Sequence, residues 1–168
     1  CCWCLLVMAS ESEEANDFRE RLIEREHVTP LIVAAFKRGI KKLHYGAMKQ
    51  SIGLLYYLSK DQPKKYLNTL IQDYNLMILC GQTLKICIRG LSKLKQQNKN
   101  SAKASVFGDL CELGANLIYE LIKHKAGKSQ FKKLKLKGVM KSIDHSLEYL
   151  IYPESITTAF NRCLDIKK

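Results

Sequence analysis

Apolar side chains recur at steps of three and four along most of this chain, the period of a helix with one buried face. Phe18, Leu22 and Ile23 make a sparse stripe in a first helix that runs to about His27. Ser10 and Glu13 have the spacing of a capping box at its start, and the acidic residues that follow suit the positive end of a helix dipole. Thr29-Pro30 restarts the chain, with Thr29 as cap and Pro30 in the first turn. Leu31 to Phe36 is apolar almost all round and predicts a buried segment. Lys37, Arg38, Lys41 and Lys42 then alternate with Ile40 and Leu43, and Ile52 to Leu58 returns to core character. Residues 30–59 read as one long helix, or as two joined near Tyr45-Gly46.

Ser59-Lys60-Asp61-Gln62-Pro63 is the clearest turn. From Pro63 to about Gln96, Leu67, Leu70, Ile71, Tyr74, Met77, Ile78, Leu84, Ile88 and Leu91 keep the helical period, predicting one long element. Gln96 to Ser101 is a polar linker. Val106, Phe107, Leu110, Leu113, Leu117, Ile118 and Leu121 mark the next helix, which Ala126-Gly127 should close. Gly108 and Gly114 inside it suggest close helix contact. Residues 129–152 read as a helix, although Phe131 to Lys137 alternates at period two and leaves a short strand open. Pro153 begins a short last helix. The expected fold is all-α, a compact antiparallel bundle of about five to seven helices.

Seven cysteines are an odd set for a disulfide scaffold, and Cys80, Cys87, Cys111 and Cys163 lie in apolar helical runs. Reduced, buried thiols are the better reading, with a cytoplasmic or nuclear compartment rather than secretion. Residues 1–9, beginning Cys1-Cys2-Trp3-Cys4, form an apolar cysteine-rich extension ahead of a single domain at 10–168. Met8-Ala9-Ser10 resembles a natural start, so residues 1–7 read as upstream sequence or a fused tail. Palmitoylated cysteines are the other option there.

The net charge of +12 is unevenly spread, because seven of the sixteen acidic residues fall between Glu11 and Glu26. Lys85, Arg89, Lys93, Lys95, Lys99 and Lys103 form one stretch without an acid. Lys123, Lys125, Lys128, Lys132, Lys133, Lys135, Lys137 and Lys141 form a second. If the two coalesce, they offer a site for a phosphate backbone; otherwise they are solvated helix faces. Lysine dominates, so binding would follow backbone and shape rather than base sequence. Tyr45, Tyr66, Phe131 and Tyr149 either stack bases or belong to the core.

Metal and nucleophile patterns are weak. The Cys1–Cys4 tract lacks a second ligand pair, and Cys111 with His124 lacks a local signature. Asp144, His145 and Glu148 resemble a solvated face. No phosphate loop, dinucleotide fingerprint or hydrolase elbow is present. The expected protein is therefore non-enzymatic and needs no cofactor. Nucleic acid, RNA before DNA, is the first partner, with an acidic protein or an anionic membrane surface as alternatives. The second reading is a protein-binding adaptor or scaffold, a bundle whose groove accepts a partner helix, with the acidic first helix docked on a basic face.

Overall fold

A computed structural model of the chain describes residues 15–25, 27–96, 102–144 and 153–165. These residues form helices and their connections, with no strand among them. In order they are α1 (Ala15–Glu24), α2 (Val28–Lys42), α3 (Tyr45–Ser59), α4 (Lys64–Gln72) and α5 (Leu76–Gln96). Then follow α6 (Ala102–Ile122), α7 (Lys125–Lys133), α8 (Leu136–Asp144) and α9 (Pro153–Leu164). The all-helical class holds, but the described residues form nine helices instead of the expected five to seven.

The extra helices come from breaks that the apolar period runs straight through. Residues 30–59 divide at Leu43-His44, close to the expected joint. The single element expected from Pro63 to Gln96 is two. The N–H groups of Asp73 and Tyr74 both bond the Thr69 carbonyl, ending α4, and Asn75 at φ 55 turns the chain into α5. The helix expected over 129–152 breaks at Lys135, also left-handed at φ 53. The strand option for 131–137 fails, since those residues end α7, make this turn and begin α8. Ala126-Gly127 does not close α6; it lies in the first turn of α7, and α6 ends at Ile122. The Ser10 cap, Cys1, Cys2, Cys4, Lys99, His145, Glu148 and Tyr149 lie outside the described residues.

α6 is the centre of the fold. Leu110, Cys111, Ala115, Leu117, Ile118 and Leu121 are all fully buried, and α3, α5, α7 and α9 pack around them. A helix apolar on every side needs such a shell. Its three carboxylates each have a partner, as partly buried charge requires. Asp109 takes Lys49 Nζ of α3 at 2.6 Å, Glu112 accepts from Ser155 Oγ of α9 at 3.0 Å, and Glu120 takes Lys123 Nζ at 2.6 Å.

Packing contacts set the directions of the helices. Gly90 lies beneath the Phe107 ring, and Leu84 reaches Gly114, so α5 and α6 run antiparallel. Tyr45 meets Phe107 edge-on at 5.0 Å, Lys49 meets Asp109 and Ile52 reaches Gly114, so α3 runs in the same sense as α6. The strictly antiparallel bundle is thus half right: short loops reverse α5 into α6, whereas α3 and α6 are not sequence neighbours. Gly114 is buried as expected, but a Cβ there would make ordinary contacts at 3.6 Å. Gly81, Gly90 and Gly127 leave less room, with a neighbouring atom within 2.8 Å of an added Cβ.

The cysteine reading is met at the positions described. Cys80, Cys87, Cys111 and Cys163 are free and buried.

Candidate polyanion interface

α7 divides cleanly into an inner and an outer side. Gly127 is buried, while Phe131 and Leu134 pack on the core and Gln130 Nε2 donates to the Ile71 carbonyl of α4 at 3.3 Å. On a helix of 3.6 residues per turn, that leaves Lys125, Lys128 and Lys132 together on the outward strip, with Lys133 at its edge. Lys125, Lys132 and Lys133 are exposed and Lys128 is half-buried. Lys135 projects from the turn into α8, where Leu136 and Met140 face the core and Lys137 and Lys141 are exposed one turn apart.

Lys85, Arg89 and Lys93 lie along one exposed strip of α5, four residues apart. Gly81 of this helix touches the Leu136 side chain, so the start of the strip adjoins α8. Lys85, one turn beyond Gly81, is carried beside the second lysine stretch. Lys93 is not. It stands about 18 Å from Gly81 along the helix axis, at twelve residues and 1.5 Å per residue. Since α5 and α6 are antiparallel, Lys93, Lys95 and Lys103 lie at the pole where α6 begins, and Lys125 to Lys137 at the pole where it ends. The two stretches therefore meet only at Lys85, while Arg89, next to Gly90, lies toward the other pole.

Lys123 is engaged elsewhere. Its Nζ is 2.6 Å from Glu120 Oε2 and 5.1 Å from the centre of the Tyr119 ring. Nearby, Lys60 Nζ stands 5.8 Å from the centre of the Tyr56 ring, and the Tyr56 and Tyr57 rings lie 5.1 Å apart. Burial, then the Glu120 charge, raise the Tyr56 hydroxyl above its ordinary range. Tyr119 also lines an open cavity of about 420 Å³ with Thr158, Asn161, Arg162 and Asp165. Sequence reasoning missed this grouping because α3, α6 and α9 supply it from distant segments.

Of the aromatic candidates for base stacking, Tyr45, Tyr66 and Phe131 are packing residues. Tyr45 is against Phe107, Phe131 packs on the core, and Tyr66 shares a hydrogen bond of 3.2 Å with Thr29. Burial pushes the Tyr66 hydroxyl up to about 12. Cys111, deep in α6, is more than three helical turns from His124, so these two do not form a catalytic pair. Among the described residues, no three of His, Cys, Asp and Glu gather as a metal site, and no helix is long and apolar enough to cross a membrane.

An all-helical basic protein with a lysine face on α7 and α8 is thus defined. Set against known proteins, the chain matches no family model, no curated protein and no solved structure.

Proposed function

We propose that this chain is a non-enzymatic module that holds the sugar-phosphate backbone of nucleic acid, RNA in the first place, on the outer face of α7 and α8. One observation carries the reading: Lys125, Lys128, Lys132, Lys133, Lys135 and Lys137 occupy one short helix pair and its turn, within a stretch free of acids from 123 to 141. Lys85 extends it onto α5. Lysine ammonium groups suit backbone phosphates and read no bases. The buried, free thiols suit a reducing compartment, cytoplasmic or nuclear.

Engaging about five phosphates gives a log–log salt slope near −4, so affinity for a generic RNA should fall on the order of a few hundred-fold between about 50 and 200 mM salt. Fluorescence anisotropy with a labelled RNA measures this. The pair Lys132→Glu and Lys133→Glu should flatten the slope by about two. Salt-independent binding, or no binding at low salt, overturns the proposal.

A protein-binding adaptor is the second reading, favoured by the open cavity between α6 and α9. The acidic α1 packs on α2 and α3. If it covered the α7–α8 face, deleting residues 9–27 would strengthen RNA binding; in the reading preferred here, affinity stays the same.

A further inference from the structure

The turn between α2 and α3 carries a leucine where the backbone favours glycine. Leu43 has φ 53, and its N–H reaches the Gly39 and Ile40 carbonyls. The His44 N–H also bonds Gly39 O, at 2.9 Å, which completes a Schellman close. His44 Nδ1 then accepts from the Ala47 N–H at 3.1 Å, capping α3. Any Cβ is disfavoured at the left-handed position, and the leucine there leaves 53% of its surface exposed. An apolar side chain held outward at a strained position points to use at a surface rather than to folding.

Cations surround this tip. Arg38, Lys41 and Lys42 are exposed on the last turns of α2. The Phe107 ring sits between Tyr45 and Gly90, so three helices converge at this pole. Lys93, a turn beyond Gly90, and Lys103, a turn before Phe107, are exposed and carried to the same pole. Residues 37–49, 89–96 and 102–109 hold a single acid, Asp109, and Lys49 pairs with it at 2.6 Å.

We infer that this pole docks on an anionic lipid bilayer. Leu43 enters the boundary between headgroups and acyl chains, while Arg38, Lys41, Lys42, Lys93 and Lys103 face the lipid phosphates and carboxylates. The apolar tip is what separates a bilayer from RNA, because a nucleic-acid backbone offers Leu43 no apolar phase. The surface lies at the opposite pole from the α7–α8 face and does not depend on the function assigned to that face.

Sedimentation of the full chain with phosphatidylcholine vesicles, with and without phosphatidylserine, tests the inference. Binding is expected only to the vesicles that contain phosphatidylserine. Leu43→Asn, which suits the left-handed backbone and keeps the charge, should weaken it about tenfold without lowering the melting temperature. Lys41→Glu with Lys42→Glu should weaken it on the order of thirtyfold or more. Lys132→Glu with Lys133→Glu should weaken RNA binding and leave the Leu43→Asn effect in place. Unchanged vesicle binding by Leu43→Asn, or equal binding to neutral vesicles, overturns the inference. So does a loss of RNA affinity but not vesicle affinity in the Lys41/Lys42 pair.

Discussion

Between pH 9 and about 11 the protein should lose most of its stability, well before backbone or lysine chemistry would suggest. Three thiols set this range. Burial pushes the Cys163 thiol up to about 12 and the Cys80 thiol higher still. A hydrogen bond with Cys111, then burial, raises the Cys87 thiol well above its ordinary value of 9.0. An unfolded chain loses these protons near pH 9 while the folded one keeps them. Their contribution is therefore complete below pH 9 and disappears as the pH climbs toward the folded values. Each group removes about 1.4 kcal/mol per pH unit in that window, and three together about 4 kcal/mol. Two such units are comparable with the whole stability of a domain held by about 5–15 kcal/mol. Tyr66, raised to about 12, adds to the loss above pH 10. Urea denaturation followed by circular dichroism, in reductant, from pH 8 to 11 measures the slope. Cys163→Ala should reduce it by about one proton. A flat profile up to pH 10.5 would show that these thiols titrate alike in both states.

Gly127→Ala should destabilise the fold by about 3 kcal/mol or more. The added methyl would collide with the Leu121 carbonyl oxygen and lie 2.6 Å from the carbonyl carbon, and backbone atoms cannot rotate aside as a side chain can. Relief requires the α6–α7 corner to open. That would move Lys125, Lys128 and Lys132 with their helix, so RNA affinity should fall along with thermal stability. Gly138→Ala is the matched control. Nothing lies within 4 Å of its Cβ, and alanine in the interior of α8 should stabilise by up to about 1 kcal/mol. Equal melting temperatures for the two variants would refute the steric account.

Helical class and the proline-marked starts were legible because their causes are local. Pro153 begins α9, and the turn through Pro63 precedes α4. The missed breaks have another origin. Lys135 turns the chain in the left-handed region with neither glycine nor proline to announce it, and backbone hydrogen bonds alone reveal the turn, whereas the Leu43 turn falls close to the joint expected at Tyr45-Gly46. Asn75 did carry a turn signal, but the apolar steps from Ile71 through Tyr74 to Met77 concealed it. Among the proposed polyanion residues, the runs were visible while their grouping was not. Lys93 and Lys95 go to one pole and Lys125 to Lys137 to the other because α5 reverses into α6. Lys123 is diverted by Glu120, three residues before it on the same helical surface.

That reversal also determines how the molecule responds to two anionic surfaces at once. Cations stand at both poles of the fold, so a polyanion meets positive charge at either end. If both proposals hold, a single copy would act as a cross-linker, with α7–α8 on RNA and Leu43 and its neighbours on lipid. Mixtures of RNA, phosphatidylserine vesicles and protein should tether most at intermediate protein concentration. Excess protein should disperse them again, as each partner fills with its own copies.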